Sequence, residues 1–127
     1  MRTSLMLSFV LLAVTILCGC LTETETLHLS RRYESAAEEL RILSQKSEWS
    51  RAAEVASAYR DDWRRTTPWL QMLINHEDID DVTLALEYLQ AAIAAKEQGN
   101  CFAACAQLRE NARHIHHRDA FTLGNVL

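Results

Sequence analysis

From Leu29 to Ile115 the apolar residues recur mostly at steps of three and four, a spacing that commits the chain to helices. Leu29, Tyr33, Ala36, Leu40 and Leu43 form the first such face, with Ser30 as its expected N-cap. After Ser47 the pattern restarts. Trp49, Ala52, Ala56, Tyr59, Trp63, Thr66, Leu70 and Leu73 make one seam, the mark of a long helix lying against a partner. Pro68 falls inside this run. It lacks an amide N–H and disfavours helical geometry at Thr67, so a kink or break is expected there, with Trp69 to Ile74 as a separate turn of helix. A third helix is expected to start near Asp78 or Asp80, with Ile79, Val82, Leu86, Leu89 and Ile93 on one stripe. Leu84, Tyr88, Ala91 and Ala95 form a second stripe, so this helix is expected to be buried on more than one side. Gly99-Asn100 is expected to end it, the glycine serving as a left-handed cap. Cys101, Cys105, Leu108, Ala112 and Ile115 line a fourth helix beside Phe102, and Leu123, Val126 and Leu127 are placed to dock the tail.

Only 3 Gly and 1 Pro occur among 127 residues, too few for the chain reversals of a β-barrel or sandwich. The fold class is therefore all-α, an antiparallel bundle of about four helices in one domain, with Ala-rich faces that let helices approach closely. No 34-residue period recurs, so the helix pairs are not tetratricopeptide repeats. The net charge of −4 comes without a basic patch, which speaks against a nucleic-acid partner. There is no phosphate-cradling glycine loop either.

Residues 1–21 read as a signal peptide or membrane anchor. Arg2 precedes Leu5 to Leu21, which carries no charge, and those seventeen residues span roughly 25 Å as a helix. Leu17-Cys18-Gly19-Cys20 resembles a bacterial lipobox, with Cys20 as the acceptor and Cys18 standing where Ala, Ser or Thr is usual. Lipid on Cys20, an uncleaved anchor helix and a secreted product remain open, and each puts the rest of the chain on the extracytoplasmic face of the cell membrane. Residues 22–28 (TETET and its flank) read as a polar spacer, and residues 29–127 as the extracytoplasmic helical domain.

Asn75-His76-Glu77-Asp78-Ile79-Asp80-Asp81 is the densest polar cluster. Its carboxylates and imidazole suit a divalent cation, but the sequence has no spaced D-x-D-x-D-G pattern. The competing structural reading is a helix start, with Asp78 and Asp81 spaced as a capping box. His114-Ile115-His116-His117 and the Cys101, Cys105 pair are candidate metal ligands. Zinc needs about four converging ligands, and His116 lies too far along a straight helix from Cys105. Packing for the cysteines and dipole compensation for the histidines are the simpler roles. No G-x-S-x-G elbow is present, so the chain is expected not to be an enzyme. Trp49, Trp63 and Trp69 read as core or interface rather than a ligand cage: Trp63 is expected against the third helix near Leu86 or Leu89, and Trp69 against the loop containing His76.

The stretch Trp63-x5-Trp69-Leu70-x4-Asn75-His76-Glu77-x-Ile79-Asp80 is distinctive. With the apolar N-terminus, His114-Ile115 and the ending Leu123-x-Asn125-Val126-Leu127, it resembles the bacterial family called domain of unknown function 4363. The resemblance covers most of the chain. It implies a small membrane-anchored helical protein of Gram-positive, largely clostridial and spore-forming, bacteria, with no assigned activity. Trp63, Trp69, His76, Glu77 and Asp80 are the positions that carry the family pattern. Asn75 stands where the family more often has Asp, and Cys20 adds a possible lipid site. The function expected from all this is a non-enzymatic protein-interaction module of the bacterial envelope, without cofactor, tethered to the membrane and binding a membrane or envelope protein. The alternative is a metal-binding envelope lipoprotein using its His, Asp and Glu clusters.

Overall fold

The computed structural model describes residues 1–124, with side chains through His117. Among the described residues the chain forms four helices and no strand: α1 (Arg2–Gln45), α2 (Trp49–Leu70), α3 (His76–Ala94) and α4 (Gln98–Gly124). They pack as a ring in which α1 touches α2, α2 touches α3, α3 touches α4, and α4 returns to α1 over the largest contact. Successive helices run antiparallel, as short connections require. Leu123, Val126 and Leu127, expected to dock the tail, lie outside the described side chains.

The first helix is longer than the sequence pattern suggested. It runs unbroken through residues 22–28, so the expected spacer is helical, and Ser30 lies in mid-helix rather than at a cap. The Ser30 hydroxyl donates to Glu34 Oε1 at 3.2 Å. Neither Gly nor Pro occurs between Gly19 and Pro68, and Thr and Glu do not break a helix that flanking turns support. The polar run marks a change of face instead. Thr26 and Ser30 are buried with Tyr33, Ala37, Leu40 and Ser44, extending the core-facing stripe back by two turns.

Two of the connections are built alike. Ser47 and Lys96 each adopt a left-handed backbone with φ 55. At the first, Glu48 N bonds Leu43 O at 3.0 Å and Ser47 N bonds Ser44 O at 3.1 Å; at the second, Glu97 N bonds Ala92 O and Lys96 N bonds Ile93 O, both at 3.0 Å. This is the Schellman pattern, which satisfies the last carbonyls of a helix. The expected glycine cap is therefore wrong: Lys96 takes the left-handed position, and Gly99 falls in the first turn of α4. Gln98 closes the same end of the bundle, its Nε2 donating to Ser44 O at 3.0 Å and Gln45 O at 3.1 Å.

Pro68 lies inside α2, and the helix carries on to Leu70 before stopping. Trp69 is thus the penultimate residue of α2, not the start of a separate helical turn. The proline withholds one bond near the end, where few remain to lose. Thr66 and Thr67 hydroxyls bond back to Asp62 O at 2.9 Å and Trp63 O at 2.6 Å. The turn then closes through Leu73 N and Ile74 N, both 2.9 Å from Leu70 O.

The core stripes follow the sequence. Ala52, Ala56, Trp63 and Leu70 of α2, Ile79, Val82, Leu86, Leu89 and Ile93 of α3, and Cys101, Cys105, Leu108, Ala112 and Ile115 of α4 are all buried. The second stripe of α3 is not. Leu84 is 49% and Tyr88 63% exposed, and Ala91 and Ala95 are also exposed. A helix in a four-membered ring meets two neighbours through one broad face, so its far side stays outside.

Trp63 is the side chain on which three helices meet. It is 1% exposed, stands edge-on to Tyr33 of α1 with ring centroids 5.1 Å apart, and donates its indole N–H to Thr83 Oγ1 of α3 at 2.9 Å. The tryptophan is buried against α3 as expected, with Thr83 as its hydrogen-bond partner there. Trp63→Ala removes this wedge and should cost about 3–5 kcal/mol. In a domain of this size that lowers the thermal midpoint by more than roughly 10 °C. Thermal melts followed by circular dichroism check it.

Candidate functional site

Asn75, not Asp78 or Asp80, begins the third helix. Its side chain accepts from Glu77 N at 3.3 Å, and its backbone is extended, as an N-cap requires. His76 is then the first helical residue, and Glu77 and Asp78 fall in the first turn, where the helix dipole favours carboxylates. Asp78 is 6% exposed, tucked beneath that turn, whereas His76, Glu77, Asp80 and Asp81 face outward. The cluster is thus a helix start. The expected Asp78–Asp81 capping box does not form around the true cap, because Asn75 lies three residues upstream of Asp78. A single amide oxygen decided this boundary.

The other polar candidates stay apart. His114 Nε2 lies 3.4 Å from Glu110 Oε1 on the outer face of α4, with both side chains 60% exposed. His116 is half-buried beside His117, their ring centroids 6.0 Å apart and tilted by 47°. Among the described residues no three His, Cys, Asp or Glu side chains converge as metal ligands do. Cys101 and Cys105 are free thiols buried on the inner face of α4, and Cys18 and Cys20 are free and exposed on α1. Burial, chiefly, pushes the Cys105 thiol up to about 12 and raises Cys101 as well. Protonated thiols of this kind are packing groups rather than nucleophiles.

A polar seam joins α1 to α2. Tyr33 Oη donates to Asp62 Oδ2 at 3.0 Å with Tyr59 O a second acceptor within reach at 3.2 Å, and Arg32 pairs with Asp62 at 3.3 Å. Burial first, and then the Asp62 carboxylate, hold the Tyr33 phenol well above its ordinary range. Tyr59, in edge contact with Tyr33 at 5.9 Å, donates to Glu39 at 3.2 Å. These bonds fix the height of α2 against α1.

Two surfaces remain unexplained by packing. One is the outer stripe of α3, which borders a groove of about 510 Å³ walled by Tyr88, Ala91, Ala92 and Ala95 of α3 and Ala103 and Ala104 of α4. The other is the α2–α3 turn, where Trp69 is 46%, Met72 85% and Leu73 41% exposed. Trp69 therefore does not wedge against the His76 loop as expected; six residues beyond Trp63 it lies roughly 120° round α2, off the seam that holds Trp63. Sequence periodicity assigned the second stripe of α3 and Leu73 to the core, because it registers apolar character and not whether a neighbour exists to cover it.

Stability should fall on the alkaline side. Below about pH 9 the thiols and phenols are protonated in the folded and unfolded chain alike. Above it the unfolded chain releases protons that folded Cys105, Cys101 and Tyr33 retain, so stability declines from about pH 9, for Cys105 until about pH 12. Urea midpoints measured across that range check the direction.

Among known families, the one described as a domain of unknown function (DUF4363) matches residues 21–126. No curated protein and no solved structure matches the chain.

Proposed function

The chain belongs to the domain of unknown function family DUF4363, and from that premise we propose that it is a membrane-tethered, non-enzymatic interaction module of the bacterial envelope. The outer stripe of α3 carries the reading. Leu84, Tyr88, Ala91 and Ala95 run uncovered along the C-terminal half of α3 to its cap, and the last three border an alanine-rich groove shared with α4. Alanine walls let a helix backbone approach closely, and a tyrosine at the rim supplies the amphipathic anchor typical of interfaces. The partner that fits is an apolar helix of a membrane or envelope protein.

The tether is α1. Its N-terminal part is long and apolar enough to cross a membrane, and none of that window is buried in the bundle. Arg2 before the uncharged apolar stretch is the positively charged start of an exported or anchored chain, and that carries the reading of the bundle as extracytoplasmic. The helix continues without interruption into the bundle, so an uncleaved anchor would be joined to it without a hinge. On this reading Cys20→Ser leaves the protein in the membrane pellet at its wild-type size. Palmitate incorporated by the wild type and lost in Cys20→Ser, with an unprocessed precursor, identifies the lipid-anchored form instead.

A photo-crosslinking residue at position 88 in native membranes is expected to give one discrete adduct with a second protein. The same residue at position 53, exposed on α2, gives none. Tyr88→Ala should weaken the complex about thirtyfold, equivalent to roughly 2 kcal/mol. No adduct at position 88, or an adduct of twice the chain's own mass, overturns the assignment of a foreign partner.

A further inference from the structure

The α2–α3 turn points at the membrane. Asp62 lies level with Arg32 and Tyr33, because its carboxylate contacts both at 3.3 Å and 3.0 Å. From Asp62 to Leu70 the chain climbs eight residues, about 12 Å, toward the end of the bundle from which the N-terminal part of α1 projects. The same height on α1 is reached near residues 24 and 25. The turn at residues 71–75 extends past that level, which brings Met72 and Leu73 to the height of Leu21, the last residue of the uncharged apolar stretch. The α3 side agrees: the indole of Trp63 bonds Thr83 at 2.9 Å, so His76 enters α3 at the height where α2 ends.

What sits at that height is apolar and uncovered. Residues 66–75 carry no charged side chain, and Trp69, Met72 and Leu73 are left in the open. The opposite end of the bundle has a different character. There Lys46, Ser47, Glu48, Lys96, Glu97 and Gln98 make up the two Schellman turns. Of the two sets of interhelix turns, the one with exposed Trp69, Met72 and Leu73 is thus the one that abuts the end of the apolar segment of α1. Tryptophan prefers the membrane–water interface, where its ring is in apolar surroundings and its N–H remains hydrated.

We infer that the α2–α3 turn is a second membrane contact, with Trp69, Met72 and Leu73 entering the interfacial layer of the bilayer that α1 enters. The inference rests on the tether proposed above, and it holds for an anchor helix or for lipid on Cys20, since both place residue 20 at the surface. The contact is apolar rather than electrostatic, because Glu23, Glu25, Glu77 and Asp80 share this end and give anionic headgroups no advantage. Two contacts on one bundle fix its tilt, so that the groove between α3 and α4 is held at a set height and orientation above the bilayer.

The full chain, reconstituted into phosphatidylcholine vesicles, tests this with bromine placed on the upper acyl carbons as a contact quencher. Trp63 is buried, and Trp49 lies twenty residues up α2, about 30 Å from the surface, so Trp69 alone reports contact. Brominated lipid is expected to quench part of the wild-type emission, equally at low and high salt. Trp69→Phe should abolish the quenching and Trp49→Phe should preserve it. Met72→Asp, at a position 85% exposed, should also reduce it. Vesicle flotation separates the two claims. Protein that floats but is not quenched, or is still quenched in Trp69→Phe, overturns the second contact while leaving the tether standing. Protein that fails to float overturns both.

Discussion

The rest of the architecture depends on how the Trp63 side chain is held. Its ring lies edge-on to Tyr33, and its N–H bonds Thr83, so one side chain of α2 sets that helix against α1 and α3 together. Buried aromatic contacts of this geometry are directional, unlike the alanine contacts around them, and an indole N–H without a partner would be costly. The register of three helices follows from this one residue. Asp62, one position earlier, adds the polar clasp to Tyr33 and Arg32 that prevents α2 from sliding along α1.

That register gives the two ends of the bundle different chemistry. At one end, two Schellman turns and the Gln98 amide satisfy the terminal carbonyls of α1 and α3, and the chain there is polar. At the other end, α2 stops at Leu70, two residues past Pro68, and Trp69 in its last turn and Met72 in the turn that follows are exposed. A polar end faces water at no cost, whereas an apolar end needs a cover. The projecting apolar half of α1 leaves from the same apolar end, so the two features have a common direction.

Less of the candidate site was legible than of the fold. The motif around Asn75, His76 and Glu77 was visible as a cluster, but its structural role turned on whether Asn75 or Asp78 made the first cap bond, and residue types alone allow both. The two cysteines were correctly read as packing, because a spacing of four on an apolar stripe places them inward. Trp63 and Trp69 share a residue type and lie six positions apart, yet one is the hub of the core and the other lies on the surface. The difference is the face: six residues turn the helix by about 600°, which sets Trp69 roughly 120° round α2 from Trp63, while Leu70 next to it is buried.

The sequence by itself determined the helical class, the number of helices, their inward stripes and the apolar N-terminal segment, because steps of three and four, uncharged length and scarce glycine are properties of the chain alone. Only the tertiary structure decided which apolar stripes found a partner. It buried Thr26 and Ser30, which the sequence marks as polar, since they continue the α1 face that meets the bundle. It left Leu84 and Tyr88 outside, although they lie at helical spacing, since a ring of four helices has no fifth neighbour to cover the back of α3. Periodicity states which residues share a face, and burial depends on whether another element lies across from it.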